Sequence, residues 1–538
     1  MDPLHSSISP LPSYLAAVHN MFSTIMWLLL LVLAVWRLAH ARRLRRRSKG
    51  FPYPPGPVAG GLVAYPLLRP HPKESLPWKK LFEMRNTYGN IIRFNLFGRQ
   101  MVVLNSYDVA KHMLEKDAAI YSNRPTMAMF GELMGFSESF ALAPYGALWR
   151  EHRGLLRQVI AKGAMAEFHT ELQESALHIL ADALNNPHEV TESLRFRIGA
   201  MILKTTYGIT VISPEDPYLK DAEKLVQAIT SGLFGRYLVD FFPFLAHIPS
   251  FFPFAGFKKE AKYWRAARAE LMNRPFEYAT SQERKRTESS CLVNRLLSSG
   301  KSPDSVKNAV GTFYAAGIES TATVINAFLI SMMLFPAVQR KAQEELDSVL
   351  GTSARNEVLR LPTFDDRLPY LEALIKEVYR WHPATPMGPG HAPIHDDVFE
   401  GYFIPEDSFI MANQWGMSRD ENYYPDPEEF RPERHLGKTP ALNPREISFG
   451  FGRRKCVGSH FADAVIFITV SSILSTFNIS QRVGEGCIEP DLRIGHANVI
   501  DNVACNLTPR SLGAAALINA TLESLDNIFR RQGAQAKQ

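Results

Sequence analysis

The apolar pattern opens on an uncharged run from Met21 to Trp36, MFSTIMWLLLLVLAVW, which Leu38 and Ala39 extend past Arg37. It approaches the roughly 20 apolar residues that a helix needs to cross a bilayer. The pattern predicts one transmembrane helix over 21–39, after a short tail over 1–20. The basic stretch ARRLRRRSK, Ala41 to Lys49, follows the run. A secretory signal carries its charge in front and a small-residue cleavage site behind. The reverse order predicts a retained, single-pass signal anchor, with the long C-terminal body on the cytosolic side. The sequons at Asn478, Asn506 and Asn519 then never meet the glycosylation machinery. Phe51-Pro-Tyr-Pro-Pro-Gly-Pro57 ends a basic and proline-rich linker over 40–57. Prolines favour extended backbone, so this linker is expected to be a stiff spacer.

The body, 58–512, is dominated by helical periodicity, with short strand-like pieces at Ile91 to Leu96 and Met101 to Leu104. The clearest helix follows Ser302, a good N-cap type, with Pro303 in the favoured first position. It is predicted to run to Phe335, because Pro336 disfavours helix in the residue before it. About 32 residues at 1.5 Å each make roughly 48 Å, enough to cross a whole domain. A second helix is predicted from Pro369 to about Trp381. Between Phe234 and Phe257 the chain is aromatic-rich and broken by three prolines. It reads either as a loop buried on the core or as a surface loop dipping into a membrane, and the anchor favours the second. The tail, 513–538, reads as one amphipathic helix from Ala514 to Arg531.

Composition adds little: 46% hydrophobic and 11% aromatic residues suit a large globular core. The net charge is +6, but seven of the basic residues fall between Arg37 and Lys49. The remainder is close to neutral, which argues against nucleic-acid binding. The four cysteines, Cys291, Cys456, Cys487 and Cys505, include no CxxC pair. That fits neither a disulfide framework nor a zinc site, and it points to a reducing compartment. Cys291, Cys487 and Cys505 are expected to be small buried hydrophobes.

Cys456 has a different setting, Phe449-Gly-Phe-Gly-Arg-Arg-Lys-Cys456-Val-Gly458. A free cysteine has a pKa of about 8.5, and only its thiolate binds metal well. Gly452 and Gly458 let the backbone bend close to a flat ligand and aim amides at the sulfur. Arg453, Arg454 and Lys455 add positive potential. The segment is a cradle for an anionic sulfur.

This segment resembles the cysteine loop of the cytochrome P-450 superfamily, F-x-x-G-x-R-x-C-x-G, at every fixed position. The resemblance implies a mainly α cytochrome P-450 fold, a large helical part with a smaller β-rich part. It implies haem, with Cys456 as the axial ligand of the iron, Arg454 on a propionate, Phe449 shielding the proximal side, and Gly452 also among the cofactor-binding residues. Glu377-Val-Tyr-Arg380 is similar to the family's E-x-x-R, and its i, i+3 spacing puts both groups on one helix face. Phe430-Arg-Pro-Glu-Arg434 resembles the later P-E-R element, so Glu377, Arg380 and Arg434 are expected to form a buried structural triad. Trp149-Arg-Glu-His-Arg153 resembles W-x-x-x-R, one helical turn that lets Trp149 and Arg153 meet one propionate. His391 stands where the family often has another propionate ligand.

On the long helix, Ala316-Gly-Ile-Glu-Ser-Thr321 resembles the family's oxygen-activation segment. Phe313, Ala316, Gly317 and Ser320 share one face, and Ala316 and Gly317 leave room there for substrate or dioxygen. Phe313 and Ala316 are the expected substrate-pocket residues, with Thr126 to Phe140 and Pro386 to Pro389 opposite. Glu319 and Ser320 form the expected proton-delivery pair, an acid beside a hydroxyl, with Thr321 as the next hydroxyl. The family usually has threonine at the place of Ser320.

The resemblance implies a monooxygenase that inserts one oxygen atom of O2 into a lipophilic small-molecule substrate. Electrons are expected from NADPH through NADPH-cytochrome P-450 reductase, docking near Arg150, Arg157 and Lys455. The expected location is the endoplasmic reticulum membrane. The wording of YLEALIKEVYRWHP and FRPERHL is similar to fungal secondary-metabolism enzymes of the O-methylsterigmatocystin oxidoreductase group, which suggests terpenoid or polyketide substrates. Two rivals stand: a reductase-independent haem-thiolate isomerase or dehydratase, and a non-catalytic haem-binding membrane protein. The first tends to lose the acid–hydroxyl pair, and the second has no need of small residues at Ala316 and Gly317.

Overall fold

The structure, a computed structural model, describes residues 42–57, 76–232, 237–252, 255–281, 291–350, 361–482, 491–494, 498–501, 503–511, 513–516 and 518–523, with six positions between 24 and 39. The long helices are α1 (Ala147–Val159), α2 (His169–Asn185), α3 (Val190–Tyr207), α4 (Pro217–Gly232), α5 (Gly256–Thr280), α6 (Pro303–Leu334), α7 (Pro336–Leu350), α8 (Pro369–Trp381) and α9 (Ser459–Thr476). The strands β1 (Ile91–Leu96), β2 (Arg99–Leu104) and β5 (Phe409–Ala412) form one sheet, β1–β2 antiparallel and β2–β5 parallel. Among the described residues three two-stranded ribbons complete the β part, β3 (Asp397–Phe399) with β4 (Tyr402–Ile404), β6 (Phe477–Gln481) with β9 (Cys505–Pro509), and β7 (Asp491–Ile494) with β8 (Asn498–Asp501), and isolated bridges tie His391 to Ile410 and Asn123 to Ala392. The arrangement is the mainly helical fold with a small β part that the motifs imply.

The long helix has the predicted ends. Pro303 occupies the first position, Asp304 places a carboxylate in the first turn, and Phe335 caps the helix before Pro336 opens α7. Ser302 stands at the N-cap, but its side chain makes no capping hydrogen bond. The helix packs against α1, α3, α5 and α9, so it is walled in by neighbours on most sides. Both α6 and α9 are long and apolar enough to cross a membrane, yet 78% and 67% of their apolar windows are buried in protein. They are core helices.

The linker is more than a spacer. Arg93 donates its amide to Pro55 O at 2.9 Å, and Phe403 donates to Pro52 O at 2.7 Å. Proline lacks a donor, but its carbonyl still accepts, so the extended segment docks on β1 and β4 through these acceptors and through the Tyr53 ring, which meets Phe403 and Arg93. Arg47, from the basic stretch, pairs with Asp396, with its Nε 2.8 Å from Oδ2. The described positions of the predicted anchor are helical, with Trp27, Leu31, Val35 and Leu38 exposed; the rest of it lies outside the described residues.

The aromatic stretch divides between its two readings. Phe241 and Phe242 are buried against Phe97, with ring centroids at 5.3 and 6.2 Å, whereas Phe244, Phe251 and Phe252 are exposed. The described part of the tail is helical to Glu523, and Ala514 and Ile518 are buried, Ile518 in the main core. Cys291 and Cys505 are free and buried; Cys487 lies outside the described residues.

Candidate functional site

The cysteine loop is a tight structure closed on itself. Cys456 donates its amide to Phe449 O at 2.8 Å. Gly452 sits at φ +54°, and a Cβ there would lie 2.1 Å from Leu114 O, so only glycine fits. Desolvation by the surrounding protein pushes the Cys456 thiol up although the residue keeps an open face, while the Gly458 amide and the Arg153 charge pull it down. Those two are the thiolate-stabilising groups.

Phe313 of α6 leans over this loop. A Cβ at Gly458 would be 3.1 Å from the Phe313 ring and 3.9 Å from Cys456 Sγ. The Phe313 ring also meets Phe461 of α9 at 5.4 Å. One turn further, Ala316 is exposed, although the residues on either side along α6 are mostly buried. Exposure of both Cys456 and Ala316 amid packed helices marks an internal recess between α6 and the loop. Phe313 thereby borders the recess on the cysteine-loop side, one turn from Ala316.

Gly317 has a different explanation from room for a ligand. A Cβ there would approach Ile202 Cδ1 of α3 at 2.9 Å, so the space in front of Gly317 is taken up by the Ile202 side chain. Ala316 is the most open of these positions. Ser320 is half-buried beside it and donates to Ala316 O at 2.8 Å; Thr321 is buried. Glu319 is buried and ion-paired to Arg195 of α3, Nε to Oε1 at 3.0 Å.

The rim of the recess is unusually cationic. Arg454 donates to Ser122 O at 2.7 Å, Phe140 O at 3.3 Å and Ala143 O at 2.7 Å. Arg124 donates to Ala141 O, Pro389 O and Gly390 O. Arg153 stacks on the buried Trp149 at 5.6 Å, and Arg454 covers the same ring at 4.7 Å. Burial and the neighbouring Arg124 and Arg153 charges hold Arg454 down at about 8, and burial holds Arg124 at about 10. His391 Nδ1 bonds to Tyr121 O at 2.9 Å, which makes that nitrogen the donor. Burial, then the Arg124 charge, hold its imidazole at about 3, neutral in this state.

Three arginines are thus gathered with no carboxylate partner for any of them among the described residues. Buried cations without counter-charge are costly. A flat, dianionic group with a metal for Cys456 relieves both defects, and haem, with two propionates, has that chemistry. Arg124, Arg153, Arg454 and His391 are the residues that would hold it. Arg124 went unnoticed in the sequence, since nothing local in Ser-Asn-Arg124-Pro distinguishes it.

The triad is assembled as the motifs imply, and is larger. Glu377 is fully buried and accepts from Arg380, Arg434 and also His435, whose Nε2 lies 3.0 Å from Oε2. The Arg431 amide donates to it at 2.8 Å. Burial alone would raise this carboxyl, but hydrogen bonds from His435 and Arg380 outweigh it and hold it at about 2.

Comparison with known proteins agrees with the site. The family model described as Cytochrome P450 matches residues 53–493. Cytochrome P450 monooxygenase 208 of Postia placenta is 36% identical over 506 residues, covering 92% of this chain and 97% of its own length. Cytochrome P450 monooxygenase COX2 of Coprinopsis cinerea is 35% identical over 500 residues, covering 89% of this chain and 93% of its own. A zebrafish cytochrome P450 solved with abiraterone shares the fold, with TM-score 0.64 and 22% identity, over 81% of this chain and all of its own. With its cysteine loop, cationic rim and buried triad in place, the chain belongs to the cytochrome P450 family and is a haem-thiolate monooxygenase.

Proposed function

We propose that this chain takes electrons from NADPH-cytochrome P-450 reductase and inserts one oxygen atom of O2 into a small lipophilic substrate of secondary metabolite biosynthesis, a terpenoid or polyketide. The single observation that carries the reading is the open patch at Ala316 with Ser320 and Glu319 beside it on α6. A thiolate-bound haem supplies oxygen activation, since the sulfur pushes electron density onto the iron. The chain's own part is to admit an apolar molecule at Ala316 and bring protons to that place. Ser320 holds its hydroxyl at the recess by donating to Ala316 O, and Glu319 is the nearest acid on the same turn. An isomerase or a haem carrier has no use for such a pair.

Arg150, Arg157, Arg453 and Lys455 are exposed around α1 and the cysteine loop, which supports docking of an acidic face of the reductase there. The run over 21–39 and the exposed Phe244, Phe251 and Phe252 support attachment to the endoplasmic reticulum membrane, with the body on the cytosolic side. The test incubates membranes bearing the protein with reductase, NADPH and a panel of terpenoids and polyketides. NADPH consumption that depends on reductase and rises with a substrate that is oxygenated supports the reading. Product formed without reductase assigns the isomerase rival, and haem binding without any turnover assigns the carrier.

A further inference from the structure

A second charged cluster joins α8, the cysteine loop and α9. Tyr379 of α8 is buried, and its hydroxyl donates to Asp463 Oδ1 at 2.9 Å. Arg445 Nε donates to the same oxygen at 2.9 Å. Arg445 then reaches outward, Nη1 to Glu372 Oε1 at 2.7 Å, and Lys376 Nζ stands 3.9 Å from that carboxylate. The Arg445 guanidinium also lies 5.5 Å from the centroid of the Tyr379 ring. On its other side that ring meets Phe449 edge-on at 5.3 Å, and Phe449 O is the acceptor for the Cys456 amide. A chain of contacts therefore runs from half-buried Glu372 through two fixed, opposite charges to the residue that seats the sulfur.

Two properties make this more than packing. Asp463 and Arg445 are largely enclosed, so water screens their charges less than it would at the surface. The charges also stand close to the ligand: Tyr379 spans from Asp463 to Phe449, the residue whose carbonyl takes the Cys456 amide. A carboxylate beside an anionic ligand opposes each further electron placed on the centre, and Arg445 offsets that effect. We propose that Tyr379, Asp463 and Arg445 are positioning residues of the haem-thiolate centre, which hold Phe449 against Cys456 and fix the charge balance that sets how readily the iron is reduced. The inference rests on Cys456 being the iron ligand.

The experiment measures the midpoint potential of the haem iron in the full-length, haem-loaded protein, together with the ferrous carbon monoxide spectrum. Asp463→Asn keeps an acceptor for Tyr379 and Arg445 but removes a negative charge, so the potential shifts positive. Arg445→Gln removes the compensating cation, so the potential shifts negative. Opposite signs are the mark of a charge effect, because a packing defect moves both variants the same way. Tyr379→Phe leaves every charge in place; it shifts the potential less than Asp463→Asn, and its red-shifted Soret band is lost at lower urea concentration. Shifts of the same sign, or none in either charge variant, overturn the proposal. Should both charge variants fail to bind haem, Glu372→Gln at the half-buried end decides: a smaller positive shift supports the proposal and an unchanged potential overturns it. A wild-type protein without the red-shifted band sinks the ligand assignment itself, which is a separate failure.

Discussion

Replacing Glu377 by glutamine tests the largest buried electrostatic commitment in the site. The carboxylate receives five donors: Arg380 Nε at 2.9 Å and His435 Nε2 at 3.0 Å on one oxygen, and Arg380 Nη2 at 2.8 Å, the Arg431 amide at 2.8 Å and Arg434 Nε at 3.1 Å on the other. Glutamine keeps one oxygen and turns an NH2 toward donors at the other position. His435 can relieve its own contact by changing tautomer, but Arg380 Nε cannot. The carboxyl is held at about 2 against an ordinary 4.5. That lowering corresponds to roughly 3 kcal/mol of stabilisation of the charged form. The side chain is fully buried, so no screening reduces it. Loss of one partner of a buried ion pair costs about 3–5 kcal/mol, which is consistent.

The sign of the pH dependence follows. A folded-state pKa below the ordinary one stabilises the protein fully above about 4.5, and the contribution is lost as pH falls toward about 2. Glu377→Gln should therefore unfold about 3 kcal/mol more easily at pH 7, by urea titration of the haem-loaded protein followed through the Soret band. The gap to wild type should narrow below about pH 4.5, where the wild-type carboxyl begins to titrate in the unfolded chain. A loss under 1 kcal/mol at pH 7, or a gap that does not narrow in acid, refutes the reasoning.

Four further outcomes follow from the site. Cys456→Ala should abolish the red-shifted Soret band of the ferrous carbon monoxide complex, whereas Cys291→Ala, at a buried free thiol outside the loop sequence, should retain it. Ser320→Ala should leave substrate binding nearly unchanged while lowering the ratio of product to NADPH consumed and raising peroxide; Thr321→Ala, at a buried position, should not, and the reverse pattern assigns the role to Thr321. Ala316→Phe should fill the open patch and block turnover with haem content intact, and normal turnover would mean the recess is misplaced. Deleting residues 1–40 should leave the unfolding free energy of the body, from urea titration, in place, whereas deleting 1–50 should lower it by roughly 1 kcal/mol or more through loss of the Arg47–Asp396 pair and the buried Leu44; equal free energies would show the docked segment to be energetically idle.

What was legible in the sequence, and what was not, divides along the distance over which the determining contact acts. The ends of α6 and α8 were readable because proline acts on its own residue and the one before it. Glu377 and Arg380 were readable as a pair because i, i+3 spacing is a property of one helix. Periodicity also put Ala316 and Gly317 on one face, but it could not say what fills the space in front of each. Ile202, more than a hundred positions earlier in the chain, takes up the space before Gly317, whereas Ala316 stays exposed. Arg124 at the rim, Arg195 on Glu319 and His435 on Glu377 are likewise supplied by segments whose local wording carries no mark of their partner. The linker makes the same point at the backbone: its prolines announced extended structure, but the Pro52 and Pro55 carbonyls found their donors on strands that only the fold brings near. Charge has the longest reach of all. Asp463 lies seven positions past Cys456, and its bearing on the sulfur depends on Arg445 and Tyr379, which come from two other segments. Opposite potential shifts in Asp463→Asn and Arg445→Gln would therefore establish a property of the iron ligand that no segment of the sequence encodes by itself.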